Sequence, residues 1–462
     1  MQYAGNTVKD IKLAYIGGGS RGWAWGLMGD LAVEEQLSGK IYLYDIDYDS
    51  AKLNETIGNR LSARNDVKGK WKFEAVHTLE AALTGADLVI ISILPGTFDE
   101  MASDVHTPEK YGIYQSVGDT AGPGGLMRAL RTIPMYETIA QAIKECCPKA
   151  WVINYTNPMT LCVRTLYEVF PQIKAFGCCH EVFGTQDLLI KMLKDMEGIE
   201  DARREDIHVN VLGINHFTWI DRASYKEYDL LKMYEQFADR YYADGFEDGE
   251  KGNWMNSHFS SAQRVKFDLF RRYGVAAAAG DRHLAEFLPP WYLKDPETVK
   301  SWKFSLTPVS WRKERQQELI EKSKRLANGE EEVEIKKSGE EGILQIKALL
   351  GLGDMITNVN VPNRGQMEGV PLGCVVETNS VFSRDHVRPV LAGKLPDDVL
   401  SLVMRQILNQ ETILRAAMNR DKEMAFRAFV NDPLVTIDIT SARKLFDEML
   451  ENTKKYLPDW DI

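Results

Sequence analysis

The stretch IKLAYIGGGSRG, residues 11–22, decides the fold of this chain. Its first six residues form an apolar run without polar alternation, which is typical of a strand buried on both faces of a parallel sheet. Glycines follow at once in the pattern Gly17-x-Gly19-x-x-Gly22, and a helical stretch comes after them. The next strand, 41–45, ends in an acid. This order predicts a βαβ unit with a glycine-rich turn between its first strand and its helix.

Strand and helix patterns alternate through the first half of the chain. Four further apolar segments are typical of strands, at 87–92, 151–156, 175–179 and 207–214. Helical segments such as 130–147 lie between them. Strands that alternate with helices predict a doubly wound α/β sheet of the Rossmann type. We assign this N-terminal domain to residues 1–205.

The remainder, 206–462, predicts a second, mixed α/β domain that packs against the first with a cleft between them. The charged stretch 311–334 is typical of a solvated helix and loop. The segment 356–381 predicts short strands and turns, and 397–418 predicts a long amphipathic helix.

Composition excludes several classes of protein. The formal net charge of −11 argues against nucleic acid as a partner. No run approaches the roughly 18 apolar residues that a membrane span needs. The first twenty residues lack a charged segment followed by a long apolar run, so we expect no secretory signal. The six cysteines include two adjacent pairs and form no disulfide framework, which predicts a reduced, cytoplasmic protein.

The glycine-rich turn predicts a dinucleotide site. Gly17, Gly19 and Gly22 let backbone N–H groups approach a pyrophosphate, and Ser20 lies in the same loop. Asp45 ends the next strand, where its carboxylate can accept hydrogen bonds from the adenosine ribose hydroxyls. An acid there would repel the 2′-phosphate of NADP, so we predict NAD as the cofactor.

Cysteine and histidine follow two predicted strands at their carboxyl ends, where open α/β sheets bind ligands. Cys179 and His180 follow one strand, and His216 follows the next. A thiolate and an imidazole can hold a divalent metal and leave positions open for substrate. Buried packing is the alternative for both side chains. Asn157 lies in an Asn-Pro turn predicted to face the same crevice.

Two loops are further candidates for the site. The glycine-rich loop 118–125 leads to Arg128 and Arg131, and such loops serve close backbone approach or form a mobile lid. The stretch 280–283, Gly-Asp-Arg-His, lies in an otherwise apolar region. Clustered charges there indicate either a pocket or structural ion pairing.

Taken together, these stretches resemble glycoside hydrolase family 4. The resemblance covers most of the chain and is carried by the loop GDTAGPGGLMRALRTIP, the turn NYTNPMTL, the Cys-His-Glu-Val signature at 179–182, and the stretches GINHF, GDRHLAEFLP and PNRGQMEGVP. It implies a Rossmann domain of the lactate/malate dehydrogenase kind joined to a mixed α/β catalytic domain. It also implies that Cys179 and His216 are the metal ligands.

The family mechanism that the resemblance implies differs from the usual pair of carboxylates. NAD takes a hydride from C3 of the sugar, a base removes the C2 proton, and the aglycone leaves by β-elimination. Water then adds, and the hydride returns. The resemblance implies Mn²⁺ as the metal, with Co²⁺ or Ni²⁺ as possible substitutes, although a thiolate is softer than Mn²⁺ prefers.

The proton carriers follow from the same resemblance. His180 comes directly after the ligand cysteine and is predicted to protonate the departing oxygen, since imidazole titrates near neutral pH. Asp281 is predicted to be the C2 base. Tyr273 is the alternative, because some members of the family use a tyrosine. Asn157 is predicted to orient the substrate or to complete the surroundings of the metal.

The signature at 179–182 resembles that of the α-galacturonidase group, so an α-galacturonide is the predicted substrate. Its C6 carboxylate needs a cation, and Arg282 is the first candidate because guanidinium binds carboxylate bidentately. Arg128, Arg131 and His283 are further candidates, and an ion pair with Asp281 or Glu286 is the structural alternative for Arg282. Glu181 is predicted to bind a sugar hydroxyl or to face away.

Other functions remain open at this point. An α-galactoside, an α-glucoside or an α-glucuronide are competing substrates within the family. A dehydrogenase of the lactate/malate kind shares the Rossmann domain and the Asn-Pro turn. A non-catalytic NAD sensor is a third class. We expect a homodimer or homotetramer that acts on a small-molecule glycoside.

Overall fold

The structure, a computed structural model, describes residues 1–247, 249 and 253–462. Its central feature is a parallel sheet of six strands in the order β4-β3-β2-β5-β6-β7. This is the doubly wound order of dinucleotide-binding sheets. The strands of the first half are β1 (Gln2–Ala4), β2 (Thr7–Ile16), β3 (Leu37–Tyr44), β4 (Lys70–Val76), β5 (Leu88–Ile91), β6 (Trp151–Asn154) and β7 (Lys174–Gly177).

Helices connect these strands as the alternating pattern predicted. They are α1 (Trp23–Ala32), α2 (Tyr48–Ser62), α3 (Leu79–Leu83), α4 (Phe98–His106), α5 (Gly122–Cys146), α6 (Met159–Val169) and α7 (Glu181–Glu197). The predicted Rossmann-type α/β fold is therefore confirmed.

The crevice of the sheet opens where the strand order reverses, between β2 and β5. Gly17 follows β2 there with a φ of 93°, a region that favours glycine. A Cβ on Gly17 would lie 2.0 Å from the carbonyl oxygen of Ser92, which follows β5. The turn after β2 can therefore approach the neighbouring strand this closely only with glycine at this position.

The second half of the chain contributes to both sheets of the molecule. β12 (Met355–Pro362) pairs antiparallel with β7, and β13 (Val375–Ser383) and β14 (His386–Pro389) continue the sheet beyond it. A smaller antiparallel sheet contains β8 (His208–Ile214), β9 (Phe217–Tyr225), β10 (Tyr228–Asp229) and β11 (Ala276–Ala277). The two halves thus share one sheet, and a division of the chain at 205/206 stays a prediction.

The remaining helices belong to the second half. They are α8 (Leu230–Tyr241), α9 (Arg264–Tyr273), α10 (Asp281–Glu286), α11 (Pro296–Ser301), α12 (Val309–Asn328), α13 (Gly342–Leu349), α14 (Asp397–Asn419), α15 (Lys422–Asn431) and α16 (Ile439–Thr453). In the part of the chain described, none of the helices is long and apolar enough to cross a membrane.

The glycine-rich loop 118–125 differs from a mobile lid, because nearly all of it is buried and α5 already begins at Gly122. The Gly122 N–H donates to a carboxylate oxygen of Asp432 at 3.1 Å, and the Gly124 N–H donates to Gln115 Oε1 at 3.0 Å. These distant side chains satisfy the first turn of the helix. The helix therefore starts earlier than local sequence predicted.

A buried ion pair fastens α4 to α5. Arg131 donates from both terminal nitrogens to the two oxygens of Asp104, at 3.0 and 2.5 Å, and its Nε donates to the Pro95 carbonyl. The side chains of Arg131 and Asp104 are 0% and 2% exposed. Arg131, one of the cations considered for a substrate carboxylate, is thus occupied within the core.

Replacing Asp104 with Ala should destabilise the fold by about 3–5 kcal/mol, because it leaves the Arg131 charge buried without a partner. The free energy of unfolding from a urea titration measures the effect. Asp66→Ala is the matched control, since Asp66 pairs with Arg64 on the surface and exposed pairs contribute about 0–1 kcal/mol. Equal losses in the two variants would contradict the assigned role of the buried pair.

Candidate functional site

The glycine loop after β2 brings the five predicted cofactor residues together. The Gly19 N–H donates to Asp45 Oδ2 at 2.9 Å, and the Gly17 N–H donates to the Tyr44 carbonyl, also at 2.9 Å. The Ser20 N–H donates to the Gly17 carbonyl, and Gly22 is the N-cap of α1. The loop thus ends at a helix N-terminus with its backbone held against β3, as a phosphate-binding turn requires.

Asn54 of α2 holds this loop from behind, a role that the sequence analysis missed. Its side-chain amide donates to the carbonyls of Gly18 at 2.8 Å and Ser20 at 2.9 Å. Burial raises the pKa of the Asp45 carboxyl, whereas N–H bonds from Asp47 and Gly19 lower it. Asp45 is thus bonded to the backbone of the turn, and it is a partly buried hydrogen-bond acceptor at the edge of the turn.

A second group of side chains forms a possible metal site at the same edge of the sheet. Asp119, His216 and His283 offer one ligand atom each, and these atoms lie within 4.8 Å of one another. The rings of His216 and His283 stack with centroids 3.7 Å apart. Carboxylate oxygen and imidazole nitrogen together suit a divalent transition metal.

The orientation of His216 is fixed by its surroundings. It has a φ of 63°, which is uncommon for residues other than glycine, and it lies two residues after the end of β8. Its Nδ1 lies 3.0 Å from Thr120 Oγ1. Burial and the neighbouring His283 together lower the pKa of His216 to about 3, although Asp119 and Glu181 raise it. A neutral imidazole is the form that binds a metal.

Two buried polar atoms beside this group lack a partner among the described residues. They are Nδ1 of His283 and Oδ1 of Asn157. The Asn157 amide donates to Asp119 Oδ2 at 3.4 Å, and the Asn157 carbonyl accepts from Arg128 Nε at 3.0 Å. Buried groups without partners are rare in folded proteins, so these atoms fit an ion or a ligand at this place.

Cys179, the predicted thiolate ligand, is buried after β7. It is not part of the group formed by Asp119, His216 and His283. Burial raises the pKa of the Cys179 thiol well above its usual value, and the carboxylates of Glu377 and Glu181 raise it further. A bound cation would reverse this effect by stabilising the thiolate. The ligand role of Cys179 stays a prediction.

Glu377 is a buried carboxylate that the sequence did not indicate. Its pKa is raised to about 7, because burial outweighs the side-chain amides of Asn358, Asn360 and Asn215, which lower it. Asn358 Nδ2 donates to Glu377 Oε1 at 2.7 Å. Because Glu377 lies on β13, the C-terminal strands bring charge to the vicinity of Cys179.

Glu181 faces the site. Its Oε2 accepts the Gly280 N–H at 2.6 Å, and its Oε1 lies 3.6 Å from His283 Nε2. Burial would raise the pKa of Glu181, but the imidazoles of His283 and His216 lower it to about 2. The carboxylate therefore links α7 to the turn before α10 and adds negative charge beside the two histidines.

His180 lies at the exposed N-terminus of α7. Its Nδ1 is 3.1 Å from Glu340 Oε1, and this contact raises its pKa. Glu340 also lines a cavity of about 310 Å³ that extends to Gly22, Trp23 and Tyr155 beside the glycine loop. His180 is therefore near both the loop after β2 and open space.

Asp281 and Tyr273, the two predicted candidates for the base, lie at opposite ends of α9. Asp281 is fully buried, and its oxygens accept the N–H groups of Val265 and Lys266 in the first turn of that helix. These bonds favour a structural role, although burial raises the pKa of the carboxyl. Tyr273 packs against Trp219 about 12 Å further along the helix. Both assignments stay predictions.

Arg282 is held by oxygens of the protein. It donates to the carbonyls of Ser116 at 2.8 Å and Ser305 at 3.3 Å, and to the hydroxyl of Thr307. Neither Asp281 nor Glu286 forms an ion pair with it among the described residues. Glu286 instead accepts N–H bonds from Val117 and Gly118.

The sequence alone did not identify several residues of this site. Asp119 lies in a loop that stood out for its glycines, and His283 was one of several cations considered for the substrate. Glu340 lies in a charged stretch and Glu377 in a strand, and neither carries a local signal. Glu340 and Glu377 become neighbours of the predicted residues only because segments that are far apart in the sequence contact each other in the fold.

The chain matches known proteins along nearly its full length. The model of family 4 glycosyl hydrolases covers residues 12–195, and that of the family's C-terminal domain covers 211–435. A relative from Thermoanaerobacterium saccharolyticum, named alpha-galacturonidase, is 69% identical over 463 residues and 100% of both chains.

Solved structures agree with this match. The Bacillus subtilis protein lplD is 55% identical and has a TM-score of 0.92, with 96% of this chain and 100% of that chain covered. A 6-phospho-alpha-glucosidase from gut microorganisms, solved with NAD and Mn²⁺, shares the fold at 18% identity and a TM-score of 0.80, over 98% and 100% of the two chains. This chain is a glycoside hydrolase that belongs to family 4 of the glycosyl hydrolases.

Proposed function

We propose that this enzyme hydrolyses α-galacturonides with NAD and a divalent metal ion as cofactors. The observation that carries the proposal is full-length identity of 69% to a relative named for that activity. The glycine loop follows β2, Asn157 follows β6 and Cys179 follows β7, so the residues proposed for the two cofactors lie at the carboxyl ends of strands of one sheet. A lactate/malate-type dehydrogenase is not favoured, because the family match extends through the C-terminal domain.

Each cofactor has a set of residues that fits it. Gly17, Gly19, Ser20, Gly22 and Asp45 would hold NAD. His216 would hold the metal, with Cys179 from the sequence prediction and with Asp119 and His283 from the geometry. When bound, NAD supplies a reversible hydride acceptor and the metal supplies a Lewis acid for the sugar hydroxyls. An aspartate oxygen in the ligand set suits Mn²⁺ better than a thiolate and imidazole alone.

The side chains around these sites would position the substrate and move protons. Asn157 and Glu181 offer an amide and a carboxylate to sugar hydroxyls. His180 has access to open space and would protonate the departing oxygen, with Glu340 orienting its ring. Asp281 remains the proposed C2 base and Tyr273 the alternative.

The substrate assignment is tested on nitrophenyl α-galacturonide, α-glucuronide, α-galactoside and α-glucoside, with NAD, Mn²⁺ and a thiol reductant. We expect the galacturonide to have the highest kcat/KM. Protein stripped of nucleotide should be inactive, and NADH should not accumulate because the hydride returns. A neutral sugar that is tenfold better, about 1.4 kcal/mol of transition-state binding, would refute the assignment. Stoichiometric NADH would instead indicate a dehydrogenase.

Removal of the metal should abolish turnover and leave NAD binding intact. If both residues are ligands, His283→Ala and Cys179→Ser should each raise the Mn²⁺ concentration for half-maximal activity by at least roughly 10-fold, since even residues that only support a metal ligand contribute about 10- to 100-fold in affinity. His386→Ala, an exposed histidine on β14, is the control. Normal Mn²⁺ dependence in one variant removes that residue from the ligand set, and full activity after chelation excludes the metal.

The C2 base is identified by exchange of the substrate C2 proton in deuterated water, followed by NMR. Asp281→Asn should suppress exchange, and Tyr273→Phe should retain it, because only the base contacts that proton. A melting curve controls for the loss of hydrogen bonds to α9. Exchange that persists in Asp281→Asn and vanishes in Tyr273→Phe would assign the role to the tyrosine.

A further inference from the structure

Two arginines share one aromatic ring at the margin of the site. The guanidinium carbons of Arg282 and Arg312 lie 5.3 and 5.7 Å from the centroid of Phe259. Arg282 is on α10, next to His283, and Arg312 is in the first turns of α12. The two positive charges repel each other, so a negative group nearby would stabilise the pair.

No carboxylate of the described residues forms an ion pair with either arginine. Arg282 uses Nε and Nη2 for the oxygens of Ser305, Ser116 and Thr307. Nε of Arg312 is buried and has no hydrogen-bond partner among the described residues. Arg312 therefore has a buried donor that no described residue uses, and the sequence did not single this residue out.

The charges of this arginine pair favour an anion. Arg282 is buried, and the positive charge of Arg312 acts against its own. Burial lowers the pKa of Arg312, whereas Asp119 raises it. A buried cation without a counter-ion is costly, and a bound carboxylate removes that cost. The N-terminal end of α12 adds favourable partial charge.

The arginine pair lies near the candidate metal site formed by Asp119, His216 and His283. Arg282 is bound through the Ser116 carbonyl to the loop that carries Asp119, and it precedes His283 in α10. Asp119 and His283 belong to the group around His216. A sugar whose hydroxyls face that group can therefore direct another substituent toward the arginines.

We propose that Arg312 binds the C6 carboxylate of the substrate and that Arg282, held by its protein contacts, supports the charge of that subsite. The assignment rests on the proposed α-galacturonidase function and names the residue that sets its specificity. It differs from the sequence prediction, in which Arg282 alone was the first choice.

The test compares Arg312→Gln with Arg312→Lys. Arg312→Gln should lower kcat/KM on nitrophenyl α-galacturonide by roughly 10- to 150-fold, the range for lost hydrogen bonds to a charged group. Arg312→Lys should recover part of the loss by retaining the charge. Arg315→Gln on the same helix is the control, because Arg315 pairs with Glu318 at the surface.

Calorimetry on the NAD-loaded protein measures the binding of sugars directly. It therefore distinguishes a binding role of Arg312 from a purely structural one. Arg312→Gln should weaken the binding of D-galacturonate by the same factor and leave the binding of D-galactose and the melting temperature unchanged. If the wild type is active and Arg312→Gln has the same affinity and kcat/KM for galacturonate compounds as the wild type, this assignment alone is overturned. A wild type that neither cleaves the galacturonide nor binds D-galacturonate would overturn the proposed function and this assignment with it.

Discussion

The close approach of the turn after β2 to the end of β5 is the constraint on which the rest of the structure depends. Gly17 contacts the Ser92 carbonyl at a distance that excludes any Cβ. The contact lies where the strand order reverses, so it places the glycine loop at the mouth of the crevice. From there α1 begins, Asp45 directly follows β3, and the carboxyl ends of β6 and β7 bring Asn157 and Cys179 to the same edge.

Buried charged side chains cluster near this edge of the sheet. Asp119 and Glu181 are negative, and the stacked imidazoles of His216 and His283 lie between them. Burial and the carboxylates of Glu377 and Glu181 raise the pKa of the nearby Cys179 thiol. Buried atoms of His283 and Asn157 have no hydrogen-bond partner among the described residues. A cation at this place would satisfy these atoms and stabilise the carboxylates together. The cluster therefore fits a ligand better than it fits a packed core.

The position of this cluster depends on buried side chains that satisfy backbone groups from a distance. Asp281 accepts N–H bonds from the first turn of α9, and Asp432 accepts one from the first turn of α5. Glu286 accepts N–H bonds of Val117 and Gly118. Each bond ties a segment of the second half to the helix or loop that carries a site residue. Substitutions at these positions therefore affect the geometry of the site as well as the fold.

The sequence by itself determined the Rossmann-type sheet, the glycine turn with its acid and the family. These features depend on local order along the chain: an apolar strand, glycines where the backbone must approach closely, and an acid at the end of the next strand. The tertiary structure decided which side chains meet. It grouped Asp119 with His216 and His283, placed Glu377 near Cys179, and brought Arg312 beside Arg282. These contacts join segments far apart in the chain, and no periodicity or spacing encodes a distance between them.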